Sequence, residues 1–195
     1  MKVVAFNASP RKNGNTCALI SMVFDVLKIE GINCELIHIG GKPIHGCRAC
    51  DQCYKLKNNS CSYEDDPLND YVQKMIEADG IILGSPTYFS NVTAEMKSLI
   101  DRAGRVGRAN GYLFKHKVGV AVVAVRRAGS LIAFDAINHF FLIEQMIIPG
   151  STYWNLGIGG DMGEVQYDDE AKKNMENLGK NMAWLLKKTH ASSTD

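Results

Sequence analysis

Short, nearly continuous apolar runs alternate along the chain with longer stretches of helical spacing. Residues 3–7 (VVAFN), 34–39 (CELIHI), 80–84 (GIILG) and 118–125 (VGVAVVAV) read as strands, and a fifth strand is expected between Ile147 and Leu156. The fourth run is apolar at almost every position, as a central parallel strand covered on both faces requires. Between the runs, the spacing of Leu19/Ile20, Met22/Val23 and Val26/Leu27 predicts a helix, with Gly31 as its stop. Leu68, Tyr71/Val72 and Met75/Ile76 predict another; Val92, Met96 and Leu99/Ile100 a third; Leu131–Met146 a fourth. Ala171, Met175, Leu178, Met182 and Leu185 predict an amphipathic closing helix. Five strand–helix alternations predict an α/β fold, a parallel sheet with helices on both faces. One stretch breaks the pattern: Gly40–Asp66 carries neither period and is expected to be irregular. The last residues, Ala191–Asp195, are expected to fray.

Composition narrows this little. At 195 residues a single domain spanning residues 1–190 is expected, with residues 40–66 inserted after the second strand. Lys plus Arg is 22 against 21 for Asp plus Glu, so the net charge of +1 gives no broad attraction to nucleic acid or to an anionic membrane. No apolar run approaches the ~20 residues that span a bilayer. The N-terminus reads as a strand rather than a signal peptide, so the expected location is cytoplasmic.

In such sheets ligands gather at the carboxyl ends of the strands, so the loops there hold the candidate chemistry. The first, Asn7–Thr16, is rich in hydroxyl, amide and basic groups and opens onto a helix, whose unpaired N–H groups suit a phosphate. It lacks the Gly-Lys-Ser/Thr ending of a triphosphate loop and the glycine pattern of a dinucleotide site. A helix cap by Asn15 or Thr16 is its plainer reading. After the third strand come Ser85-Pro86-Thr87-Tyr88-Phe89-Ser90-Asn91, with two aromatics and several polar groups able to border a flat heteroaromatic ring. Glu64–Asp66 reads as a charge cluster at a helix N-terminus. Arg102, Arg105, Arg108 and Lys115–Lys117 read as a basic, solvated stretch, with an interface or an NADPH phosphate site as the alternative.

Taken together the loops resemble those of the NAD(P)H-dependent FMN reductases and iron–sulfur flavoproteins. Asn7–Thr16 matches N-x-S-P-R-x-x-x-N-T, and Ser85–Lys97 matches S-P-x-Y-F-x(6)-M-K, with Asp101-Arg102 following. Gly159–Ala171 is similar to the turn before that group's last helix. The resemblance spans nearly the whole chain. It implies a flavodoxin-like three-layer fold with a five-stranded sheet in the order 2-1-3-4-5. It also implies that Ser9, Arg11, Asn15, Thr16 and the backbone of Cys17 hold the phosphate of FMN, and that Pro86, Thr87, Tyr88, Phe89 and Asn91 border its ring. The loop after the fourth strand, Arg126–Gly129, would close over the pyrimidine side, with Arg127, Ala128 and Gly129 as the candidate contacts. This loop carries less glycine than the group often has.

Cysteine usage sharpens the picture further. Of six cysteines, four fall in Cys47-x2-Cys50-x2-Cys53-x7-Cys61. In a chain of this size in a reducing compartment, such clustering points to a metal, a cluster or redox chemistry rather than to structural disulfides. Two successive C-x2-C steps resemble the ligand runs of [4Fe–4S] proteins, and the iron–sulfur flavoproteins carry a compact motif of this form in the same place. A four-cysteine zinc site and a loop holding nothing stay open as alternatives. Cys17 and Cys34 read as packing residues. The expected function is electron relay through FMN and a [4Fe–4S] cluster between a redox protein donor, such as a ferredoxin, and an acceptor. A cluster-free NAD(P)H-dependent FMN or quinone reductase is the alternative. A homodimer or homotetramer is expected from the resemblance.

Overall fold

The computed structural model describes residues 1–190; the expected fraying of Ala191–Asp195 lies outside the described residues. Five parallel strands, β1 (Lys2–Asn7), β2 (Asn33–His38), β3 (Gly80–Pro86), β4 (Val118–Val125) and β5 (Leu156–Ile158), pair in the order β2-β1-β3-β4-β5. The reversal of winding direction at β1 and β3 puts a crevice at their carboxyl ends. Every residue of β4 is buried, as its unbroken apolar sequence demands. The strands are sealed on one face by α1 (Asn15–Ile29) and α6 (Asp169–His190), whose Leu19, Val23, Leu27, Met175, Leu178 and Met182 form one core. On the other face lie α3 (Leu68–Glu77), α4 (Ala94–Ala109) and α5 (Ser130–Ile143), and Val72, Met75, Met96, Leu99, Ile137 and Phe141 form the second core. Among the described residues no helix is long and apolar enough to cross a membrane.

Two expectations need correction. The fifth strand does not run between Ile147 and Leu156. Ile147 makes only an isolated parallel bridge with Val118, and Pro149, which has no N–H to donate, is followed by Gly150. The chain then loops outward and rejoins the sheet only at Leu156. The cysteine-rich stretch, expected to be irregular throughout, contains the short helix α2 (Gln52–Leu56), one turn that buries Cys53.

Candidate functional site

Two sites emerge, one beside each end of α4. The first is a cavity of about 210 Å³ lined by Ser9, Arg11, Asn15, Thr16, Pro86, Thr87, Tyr88, Ala124, Val125, Arg126, Gly159 and Gly160. The loop that carries Ser9 and Arg11 leaves β1 at Asn7. The Asn7 Oδ1 atom accepts from the Ser9 N–H at 3.0 Å, and Nδ2 donates to the Lys12 carbonyl at 3.2 Å. Gly40 presses the same loop from β2's side: a Cβ there would lie 2.0 Å from the Ser9 carbonyl oxygen. His38 Nε2 meets that oxygen at 2.8 Å. The loop is therefore fixed before it reaches α1. That helix starts at Gly14 with no side-chain cap, so the plain reading of Asn15 or Thr16 as a cap does not hold. The first-turn N–H groups stay uncapped by side chains, an anion-binding arrangement.

Side chains around the cavity divide by role. Thr16 is 1% exposed, yet its hydroxyl finds no partner, and the buried Thr87 hydroxyl is likewise unpaired. Buried hydroxyls are ordinarily satisfied; two orphans on one cavity mark places for a polar ligand. The Asn15 side chain is committed elsewhere. Nδ2 donates to the Gly159 and Asp161 carbonyls, and Oδ1 accepts from the Gly163 and Val165 N–H groups. Asn15 thus locks the loop after β5 to α1, leaving its backbone for a ligand. Cys17 is half-buried on α1 and does not line the cavity with its side chain.

The loop after β3 is a tight hairpin in which Tyr88 and Asn91 exchange backbone hydrogen bonds of 2.8 and 3.0 Å. Its central residues, Phe89 and Ser90, both have left-handed φ values of 46° and 59°, and Phe89 stands fully exposed. Asn91 uses its Oδ1 on the Val92 N–H. Gly129 (φ 84°) lets the neighbouring loop close on this turn, since a Cβ there would sit 2.7 Å from Ser90 Oγ. Of the loop after β4, Arg126 rather than Arg127 faces the cavity. Arg127 lines a separate hollow with Tyr153, Trp154 and Asp168, while Ala128 and Gly129 form the turn into α5. The sequence leaves open which of the two arginines reaches the ring; Arg126, directly after the last residue of β4, is the one that lines this cavity. Glu164, unforeseen, accepts from the Asp161 and Gly160 N–H groups. Those bonds, with a smaller contribution from Arg126, hold its carboxyl below the usual range.

The second site is a cavity of about 190 Å³. It brings Cys47, Cys50, Cys53 and Cys61 together with Arg48, Tyr63, Arg102 and Arg105. All four thiols are free, and neither Cys17 nor Cys34 reaches them. They surround a volume rather than meet at a point: among the described residues no three His, Cys, Asp or Glu side chains converge on a position for one ion. A four-iron cube is held at its corners, so a ring of thiols around a cavity is the arrangement that it fits. The thiols are not equivalent. The Gln52 N–H and then the Ser62 hydroxyl draw the Cys50 pKa down, whereas burial pushes Cys53 up. Arg105 pairs with Asp51 across the rim.

Arg102 corrects the sequence reading. It lies on α4, 2% exposed, rather than in a solvated stretch, and its partner is the buried carboxylate of Asp66. Asp66, expected in a surface charge cluster, does accept from the Leu68 N–H at the start of α3, but its main partner is this guanidinium. The signal was faint: an arginine on the inward stripe of α4, three residues after Leu99 and one before Ala103.

Comparison with known proteins bears on both cavities. The family model for NADPH-dependent FMN reductases matches residues 1–161. An iron-sulfur flavoprotein of Methanocaldococcus jannaschii is 37% identical over 194 residues, covering 96% of this chain and 98% of that protein. An iron-sulfur flavoprotein of Archaeoglobus fulgidus is 34% identical over 202 residues, covering 97% of each. Among solved structures, RosB with a bound riboflavin-phosphate intermediate superposes with a TM-score of 0.75 over 98% of this chain and 81% of that one, at 16% identity. The WrbA-like flavodoxin of Agrobacterium tumefaciens gives 0.67 over 96% and 97%, at 14% identity. At such identities the structures speak for the flavodoxin-like fold alone.

Proposed function

The chain belongs to the NADPH-dependent FMN reductase family and is an FMN-binding redox protein; from that premise we propose that it relays electrons between a redox protein donor and an acceptor through FMN and a [4Fe–4S] cluster. The observation that carries the reading is the set of four free cysteines lining one cavity, in a chain whose other cavity has an unpaired buried hydroxyl at an uncapped helix start, Thr16, and another beyond β3, Thr87. When bound, FMN takes two electrons and yields them singly, and a [4Fe–4S] cluster passes one. The protein's share is to bind and orient. Ser9, Arg11, Thr16 and the first-turn N–H groups of α1 would hold the phosphate, Arg11 through charge-assisted bonds. Pro86, Thr87 and Tyr88 would border the ring, and Arg126 would supply positive charge on that side. Cys47, Cys50, Cys53 and Cys61 would ligate the cluster, and the cations around them would offset its negative charge.

A second reading, a cluster-free NAD(P)H-dependent FMN or quinone reductase, is favoured by the family match over residues 1–161. The donor is a ferredoxin-like protein in the first reading and NAD(P)H in the second. Both readings place the protein in the cytoplasm as a homodimer or homotetramer. Anaerobic purification decides between them. About four irons and four sulfides per chain, with broad absorption beneath the flavin bands, support the relay. Bound FMN without iron, after anaerobic reconstitution, supports the reductase.

A further inference from the structure

One buried side chain bridges the two ends of the cysteine loop. Arg102 projects from α4 into the space between the two ends of the loop. Its Nη1 donates to the His45 carbonyl at 3.2 Å and to the Asp66 carboxylate; its Nη2 donates to the Tyr63 carbonyl at 2.9 Å. His45 lies two residues before Cys47, and Tyr63 two residues after Cys61. Asp66 closes the circuit by accepting from the His45 N–H at 2.9 Å. Asn69 clamps the Cys61 backbone from below, Oδ1 accepting from its N–H at 2.8 Å and Nδ2 donating to its carbonyl at 2.9 Å. The guanidinium and Cys61 line the same cavity, and although burial alone would lower the arginine's pKa, its bond to Asp66 does most to hold it above the ordinary value. Burying an ion pair is costly unless its remaining hydrogen-bonding capacity is filled, and here the fork is filled by loop carbonyls. Meanwhile Ala49, Asp51, Lys57 and Asn59 all take left-handed φ values, which non-glycine residues adopt at a cost. A loop in such a conformation needs an external constraint.

We propose that Arg102 is the positioning residue of the cluster site: with Asp66 it staples both ends of the Cys47–Cys61 loop to α4, arrays the thiols before iron arrives, and sets a fixed positive charge beside Cys61. This rests on the cluster reading of the function. It adds that the site is preformed by the protein rather than folded by its metal, and that the local charge tunes the bound group. Cluster potentials respond to net charge and to hydrogen bonds at the sulfurs. The staple therefore acts on two separable quantities, loop order and potential.

The test uses the full chain carrying Arg102→Met, Arg102→Lys or Asp66→Asn, each kept only if it retains FMN. In the apoprotein, iodoacetamide labelling followed by mass spectrometry reads the order of the loop. In wild type Cys53 and Cys61 label slowly. In Arg102→Met and Asp66→Asn their rates rise at least about tenfold, because breaking a buried pair lowers the cost of local opening. In the anaerobically reconstituted protein the cluster potential separates charge from structure. Arg102→Met lowers it, Asp66→Asn raises it, and Arg102→Lys, which keeps the charge but loses the fork, stays near wild type. A purely structural residue would shift the first two in the same direction. Wild-type labelling rates in both Arg102→Met and Asp66→Asn, or potentials unmoved or moved alike, overturn the proposal. A wild-type chain that takes up no iron sinks the relay function instead, and the labelling of the apoprotein still decides the staple.

Discussion

The two cavities are built by opposite means. The cavity that we assign to the flavin is assembled largely from backbone: an uncapped helix start, a loop fixed by Asn7 and pressed by Gly40, and strand ends whose positions the sheet dictates. Two of its side chains are left with spare capacity, the orphan hydroxyls of Thr16 and Thr87. The thiol cavity has no such frame. It sits on an insertion containing a single turn of helix, and its shape depends on side chains reaching across from α4 and α3. Sites on rigid elements are held by the fold itself, whereas sites on loops must be held by specific partners. The difference predicts that the flavin cavity tolerates loss of any one side chain better than the thiol cavity does.

The largest expected effect tests the thiol side. If the proposed cluster is held here, serine at Cys47, Cys50, Cys53 or Cys61 should abolish or alter it, lowering the roughly four irons per chain, because each thiol would supply one corner. Serine at Cys17 or Cys34 should leave the iron count unchanged, since neither lines the cavity. Iron and sulfide analysis after anaerobic reconstitution checks both arms. FMN content should survive every one of these substitutions; its loss together with the iron would mean that the two cavities are not independent.

Helix α4 carries Arg102 and Arg105 of the thiol cavity, and a buried acid packed against it tests whether the helix's stability can be changed without touching either cavity. Glu144 is fully buried against Gly104 and Gly107 of α4, and neither carboxylate oxygen has a hydrogen-bond partner. Burial pushes its pKa up to about 7, with Arg108 pulling back only weakly. The folded state therefore keeps a proton that the unfolded chain has released between about pH 4.5 and 7. Stability falls as the pH rises through that window, by about 3 kcal/mol in total. Glu144→Gln should remove that fall and raise the melting temperature at pH 8, while FMN and iron contents stay as in wild type. Denaturant unfolding at a series of pH values provides the measurement.

On the flavin side a single side chain should matter less. Arg11→Ala should weaken FMN by about 10- to 100-fold, the scale of a lost charged hydrogen bond, and riboflavin hardly at all, because only FMN carries the phosphate. Fluorescence titration of the apoprotein with both flavins distinguishes these outcomes. Equal losses for the two would remove Arg11 from the phosphate site.

What the sequence disclosed follows the same division. The strands, the helices and their order were legible because periodicity and turn residues report local structure directly, and the two loop motifs sit at strand ends where the fold must put them. The fifth strand was misplaced because the apolar run from Met146 to Ile148 packs at the sheet's edge without continuing along it, and three residues of strand, Leu156–Ile158, leave little periodic trace. Arg126 and Arg127 are adjacent and chemically alike, so only the twist at the end of β4 tells them apart. The Arg102–Asp66 pair was invisible for a deeper reason. Burial of an arginine is a property of what surrounds it, and its partners lie 36 and more residues away in sequence.

The smallest expected effect probes how far the flavin cavity's rigidity extends into its most exposed turn. Phe89 and Ser90 both occupy the left-handed region, where a side chain costs roughly 1 kcal/mol or more per residue and glycine fits freely. Nothing in the hairpin's own hydrogen bonds requires a side chain at Ser90; the two bonds between Tyr88 and Asn91 use backbone alone. What Ser90 does provide is contact with Gly129 across the gap to the loop after β4. Ser90→Gly thus exchanges relief of strain for greater freedom of the unfolded chain and loss of that contact, for a net stabilisation of about 0.5 kcal/mol. If the strained turn serves only as a connection, FMN affinity should not change. If the strain holds Tyr88 against the cavity, the more stable variant should bind FMN severalfold more weakly, and thermal unfolding measured beside FMN titration would show the two quantities moving in opposite directions. We expect the second outcome, because six of the nine left-handed non-glycine residues among those described lie in the two site loops, and strain so placed is retained only where the surrounding structure uses it.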